Sequence, residues 1–153
     1  MKFHELNHRP DDENLKLNEI FSQFRQLLAE LENRELPDEI VTSINNDIDE
    51  INSITVIGNE LQKEIERRLQ RIIKLLEKNL KLVPKNYYRN LWMILGIAVF
   101  GIPIGVIFGA SLDNMAYLAI GLPIGLVIGI GVGAVMDQKA LKEGRQLDIE
   151  IKQ

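Results

Sequence analysis

The chain has 153 residues, with 18 basic and 22 acidic side chains, a net charge of −4 and no cysteine. The lack of cysteine excludes disulfides and thiolate metal sites. The length suits one modest domain, but the charge is too unevenly spread for a single globule: between Leu91 and Met136 the only charged residue is Asp113.

In chain order, the first feature is His4-Glu5-Leu6-Asn7-His8, which matches the zinc-hydrolase string H-E-x-x-H. That string works on a helix, where both imidazoles share a face and the glutamate activates water. Here Pro10 follows closely and His4 and His8 are the only histidines, so a third ligand would have to be a carboxylate. The expectation is a frayed, exposed N-terminus, no metal, no cofactor and no enzymatic activity. Residues 1–30 are charged, without a continuous apolar core, so no cleavable signal peptide is expected there.

Leu17, Ile20, Phe21, Phe24, Leu27, Leu28 and Leu31 recur at helical spacing and predict an amphipathic helix over about residues 13–34, with cap candidates at Asp11, Asp12 and Glu13. Pro37-Asp38-Glu39 opens a second helix over 38–57, whose stripe is Ile40, Ile44, Ile48, Ile51 and Ile54. A third, over 59–83, carries Leu61, Ile65, Leu69, Ile72, Leu76, Leu80 and Val83 at near-heptad spacing from Ile65 onward. Two arrangements fit. Either three helices close a bundle within one chain, or residues 38–83 run through Gly58 as one long coiled-coil stalk that pairs with copies of itself.

Two apolar runs follow, Leu91–Leu112 and Met115–Met136, each 22 residues long. At 1.5 Å per residue each spans about 33 Å, which matches a hydrocarbon core of about 30 Å. The first run holds twelve Leu, Ile, Val or Phe residues and the second ten. The link Ser111–Leu112–Asp113–Asn114 is so short that the helices must lie antiparallel. Each run repeats G-x-P-I-G-x-x-x-G, at 101–109 and 121–129. Gly101, Gly105 and Gly109 share one helical face, as do Gly121, Gly125, Gly129 and Gly133. Glycine faces let helix backbones approach closely in lipid. Either both rows close the hairpin, or one row recruits a second copy. Pro103 and Pro123 predict kinks about four residues upstream, near Val99 and Ala119.

Charge orients the hairpin. Residues 1–60 hold 14 acidic and 5 basic side chains, and residues 61–90 hold 9 basic and 3 acidic. Lys78, Lys81, Lys85 and Arg89 precede the first run and Lys139 follows the second, while the link has no basic residue. The positive-inside rule puts both termini on the cytoplasmic side, with Tyr87, Tyr88 and Trp92 at the lipid boundary. These basic residues and rings form the expected lipid interface. No aromatic platform interleaves the basic residues, so nucleic-acid binding is not expected.

The paired Gly-x-Pro-Ile-Gly strings, with the exit segments Met136-Asp137-Gln138-Lys139-Ala140 and Glu143-Gly144-Arg145-Gln146-Leu147, resemble the glycine-zipper small membrane proteins of bacteria. The resemblance covers about residues 91–147 and implies membrane location and close helix packing, but no activity. Taken together, the expected fold is all-α. A cytosolic helical domain (1–84) precedes a transmembrane hairpin (85–138) and a cytosolic tail (139–153), in the inner membrane. The expected role is a non-enzymatic, self-associating anchor that presents its acidic domain to a cytosolic protein. The alternative is an oligomeric pore or permeabilising effector.

Overall fold

The computed structural model describes residues 3–7, 14–56 and 58–151. It is mostly helical and divides into two compact units: one runs to Pro84 and resumes at Leu147, the other is Lys85–Gln146.

In the first unit, α1 (Leu15–Glu32) begins at Asn14, whose side chain accepts the Leu17 N–H at 3.0 Å. The acidic cap candidates at 11–13 lie outside the described residues. Pro37 stands at the start of α2 (Asp38–Ser53), with Asp38 and Glu39 in its first turn. α3 (Asn59–Leu80) touches both α1 and α2. It buries Leu61, Ile65, Leu69, Ile72, Ile73 and Leu76 against Phe21, Phe24, Leu27 and Leu31 of α1 and Ile44 and Ile48 of α2 in one apolar core. Each such side chain taken fully out of water contributes about 1.5–3 kcal/mol.

The near-heptad row of α3 is therefore the centre of an intrachain bundle, and the long stalk through Gly58 is not formed. α2 stops at Ser53, four residues short of the expected end, and Ile54 turns extended. Gly58 holds φ 66° and ψ −136°, a conformation that side chains avoid, and α3 starts directly after it. At its other end α3 stops three residues early. Lys81 adopts φ 57°, and the Lys81 and Leu82 amides donate back to the Glu77 and Leu76 carbonyls.

Part of the basic block after residue 60 is consumed inside this bundle. Arg68 and Arg71 of α3 each donate to Oδ1 of the buried Asp47 of α2 at 3.1 Å, and Arg68 also binds Glu64 and Glu50. Burial alone would lower the Arg68 guanidinium. Its hydrogen bonds to Asp47 and Glu64 and the charges of Glu50 and Asp47 outweigh that and push it up.

Two expectations are corrected at the chain's ends. The stretch after residue 139 is no tail: α6 (Leu118–Lys142) takes in its first residues, and Gln146–Glu150 forms a strand, β2, paired with β1 (Val83–Lys85). Leu147, Ile149 and Ile151 are buried along with Val83, and the Asp148 amide donates to Glu30 of α1 at 3.4 Å. Nor are residues 3–7 frayed. Phe3 and Leu6 are buried, and the segment lies along α2 through Asn45, Asp49 and Asn52.

Replacing Gly58 by alanine separates the two arrangements by sign. Nothing lies within 4 Å of the added methyl, so the effect is purely one of backbone. Gly58→Ala is expected to destabilise the bundle by about 1–3 kcal/mol in chemical denaturation. A continuous helix would instead gain about 1 kcal/mol from the same change.

Candidate functional site

The second unit is a helical hairpin. Its outgoing limb is one helix, Tyr87–Ser111, made of α4 (Tyr87–Gly96), a π-helical turn (Ile97–Gly101) and α5 (Ile102–Ser111). Its return limb is a short 3₁₀ turn (Met115–Tyr117) and α6 (Leu118–Lys142). The link is a tight reversal. Asp113 takes φ 48°, Asn114 donates to the Gly109 carbonyl at 3.0 Å, and the Asn114 side chain accepts from Ala116. Asp and Asn suit this because their short polar side chains tolerate left-handed backbone.

Both glycine rows face each other within this hairpin. A methyl on Gly101 would sit 3.0 Å from the Gly121 carbonyl oxygen, and one on Gly121 only 2.4 Å from the Gly105 nitrogen. One on Gly125 would meet Gly101 backbone at 2.5 Å, and one on Gly105 the Leu118 carbonyl at 2.4 Å. At the far ends Gly109 lies against Met115, and Gly133 against Tyr88 and Arg89 backbone. All seven glycines are thus used to bring the two limbs together. Gly131, off the row, faces open space.

An eighth glycine belongs to the same seam and was missed in the sequence. Gly96 would place a methyl 2.4 Å from the Gly125 carbonyl oxygen and 2.7 Å from Gly129 Cα. It precedes Gly101 by five residues, one too many for an α-helical row. The π turn supplies the correction: Ile102 donates to Ile97, five residues back, and the extra residue brings Gly96 into line. The turn ends just before Pro103, whose ring would crowd the carbonyl of Val99 in an α-helix. Around Pro123, by contrast, α6 runs on as α-helix.

A second missed residue is Asp137. It stands just past the end of the second apolar run and is buried, at i+4 from Gly133 on the same face. Its Oδ1 accepts the Tyr88 N–H at 3.0 Å and its Oδ2 the Arg89 N–H at 2.9 Å. Those amides belong to the first turn of α4, whose N–H groups have no acceptor within their own helix, and Asn86 before them sits left-handed. Asp137 is therefore an N-cap supplied by the other limb, with its negative charge at the positive end of the helix dipole. A carboxylate four residues beyond the last glycine of a row was the available signal.

Among the residues expected at a lipid boundary, Lys78, Lys81, Lys85 and Lys139 are exposed, and Arg89 and Trp92 half-buried. Trp92 lends its backbone to the seam, its carbonyl facing Gly129. Tyr88 is buried, and Tyr87 meets it edge-on with centroids 5.2 Å apart. Lys81 pairs with Glu77 at 3.8 Å and Lys139 with Glu143 at 3.9 Å. Arg145 also binds Glu143, which raises its guanidinium, with the Tyr88 hydroxyl as a further partner.

The H-E-x-x-H string is not brought into helical form. Residues 3–7 are non-helical, and His4 Nδ1 lies 2.8 Å from Asp49 Oδ1, while His8 lies outside the described residues. Among the described residues no group of three or more His, Asp or Glu side chains is arranged to hold a metal ion.

The outward faces of the hairpin are the reverse of the seam. Ile94, Val99, Ile107, Val127 and Val135 are each more than half exposed. Both limbs, Tyr87–Ser111 and Met115–Lys142, are long and apolar enough to cross a membrane. No protein-family model, no curated protein and no solved structure matches the chain.

The seam makes a sharp prediction. Gly125→Ala drives a methyl into Gly96 and Gly101 backbone and is expected to cost about 1–3 kcal/mol of hairpin stability in detergent, as overpacking does. Gly131→Ala, on the open side, is expected to be neutral or slightly stabilising. Asp137→Ala strands two amide donors and is expected to cost about 1–3 kcal/mol, read in the same thermal unfolding measurement.

Proposed function

We propose that this chain is a non-enzymatic, two-span membrane anchor of the cytoplasmic membrane that presents its helical domain to a cytosolic partner. The observation that carries this reading is how little of the apolar limbs is covered. Only 17% of the most apolar window of the outgoing limb and 22% of that of the return limb is buried. A core helix of a soluble protein would show the opposite. Water would penalise that much contiguous apolar surface, whereas lipid accommodates it. At 1.5 Å per residue the limbs reach about 37 and 42 Å, enough for a core of about 30 Å with the ends in the headgroups.

Two further observations support the topology. The limbs of the hairpin run antiparallel, with Gly105 against Leu118 near the link and Gly133 against Tyr88 and Arg89 at the far end, so both of its ends lie on the same side of the span. Its basic residues (Lys85, Arg89, Lys139, Lys142 and Arg145) all lie near those ends, while the only charge on the link is Asp113. That distribution supports a topology in which both ends of the hairpin face the cytoplasm. The acidic bias of residues 1–60 suits a domain that stays off an anionic surface and meets a protein instead. The glycine seam is closed along its length by atoms of the opposite limb. The reading therefore rests on anchoring and presentation rather than conduction.

The absence of native cysteine makes labelling a clean test. The untagged chain is expected to stay in the pellet after alkaline carbonate extraction. An Asn114→Cys variant is expected to react with a membrane-impermeant maleimide on intact spheroplasts, and a Ser53→Cys variant only after lysis. A folded chain in the detergent-free supernatant would end the membrane reading. Labelling in the opposite order would invert the topology.

A further inference from the structure

We infer that the surface of α1 and α2 beneath residues 3–7 is a peptide-binding groove, and that the chain's own N-terminal segment occupies it as a displaceable placeholder for an extended segment of a partner protein. This names the partner surface of the proposed anchor and rests on that reading.

The contacts are those of main-chain recognition. The His4 amide donates to Asn45 Oδ1 at 2.9 Å and the Asn7 amide to Asn52 Oδ1 at 2.9 Å. Asn52 Nδ2 in turn donates to the Glu5 carbonyl at 2.9 Å. Asn45 and Asn52 stand seven residues apart, two turns of α2, so they lie on one face. They read a non-helical backbone at both ends and carry almost no information about its side chains. Three side chains supply selectivity: Phe3 and Leu6 are buried, and His4 Nδ1 meets Asp49 Oδ1 at 2.8 Å. The groove thus accepts an apolar residue, then a histidine or basic residue, and a second apolar residue two places further on. Proline is excluded at the two positions whose amides are read.

The placeholder does not fill its seat. An open cleft of about 550 Å³ remains between residues 3–6 and α1, where Arg25, Leu28, Ala29 and Glu32 line it. The hydrogen bonds at Asn45, Asp49 and Asn52 are all solvent-exposed, where water competes for each donor and acceptor. A segment held by exposed bonds and two apolar side chains, beside unfilled space, yields to a longer competitor that uses the cleft as well. In the resting chain its short tether keeps its effective concentration high and blocks weak ligands.

The test uses the full chain in detergent micelles. The probe is a fluorescein-labelled peptide with the sequence of residues 1–8. The double variant Phe3→Asp/Leu6→Asp, which empties the groove, is expected to bind the peptide saturably in fluorescence anisotropy, at least tenfold more tightly than the wild type does. Adding Asn52→Ala to that variant is expected to weaken binding at least threefold. A double variant that melts like the wild type yet binds no better overturns the proposal. Hydrogen exchange on the wild type covers the case in which the variant does not fold. The His4 and Asn7 amides are expected to exchange at least tenfold faster than those of Ile44 and Ile48. Equal rates would make the segment part of the cooperative core and overturn the proposal. A concentration-dependent wild-type dimer that is lost in the double variant would assign the groove to the arm of a second copy, and would also overturn it. Carbonate extraction and cysteine labelling do not depend on the arm, so the anchor reading is judged separately.

Discussion

The hairpin depends on backbone meeting backbone. In lipid there is no hydrophobic reward for bringing two apolar helices together, because the acyl chains are as apolar as leucine. What remains is dispersion, which decays steeply with separation, and so favours whichever side chains let the helix axes come closest. Eight glycines along the seam do this, and every added methyl would meet an atom of the opposite limb within 3.4 Å. The large side chains are left to point outward, where their only task is to match the solvent.

A seam of this length needs register, and two local departures from plain helix provide it. The return limb keeps strict four-residue spacing from Gly121 through Gly133 to Asp137. The outgoing limb cannot, because Gly96 and Gly101 are five apart. Without the π turn Gly96 would rotate about 100° off the seam, and a side-chain-bearing residue would take its place. Pro103, two residues past the end of the turn, already forbids a normal α-helical bond to Val99, so the wider turn is placed where it costs least. At the open end Asp137 finishes what the glycines begin. It satisfies two amides that a nonpolar surrounding would otherwise leave bare. Register and capping therefore support each other along the same line of contacts.

How much of this was legible follows from which signals are local. The glycine rows could be read because four-residue spacing is a property of one helix alone. Gly96 could not, since its place depends on a π turn that no periodicity announces. The apolar stripe of α3 was visible, but the same stripe serves a stalk or a bundle. Gly58 decides between them through a backbone angle the sequence does not carry. Leu147, Ile149 and Ile151 alternate with Asp148 and Glu150, a plain strand pattern. It was overlooked because five residues near a chain end read as a tail unless their pairing partner is known. Residues 3–7 were the least legible, because they are held by asparagines some forty residues away.

The two units invert each other's rule for what lies inside. In the bundle, Phe24, Leu27, Ile44, Ile65 and Ile72 are fully buried and the small residues carry little weight, because water drives the largest apolar surfaces together. In the hairpin the buried positions between Gly96 and Gly133 are all glycines, and the Ile, Val and Leu between them are exposed or half-buried. A single hydrophobicity rule applied along the chain would predict the hairpin inside out. The inversion is itself an argument about solvent. A sequence that hides its smallest residues and shows its largest apolar ones over two adjacent limbs suits the lipid surroundings proposed for it. The one buried carboxylate of the hairpin fits the same logic, because it sits where backbone donors, rather than water, meet its charge.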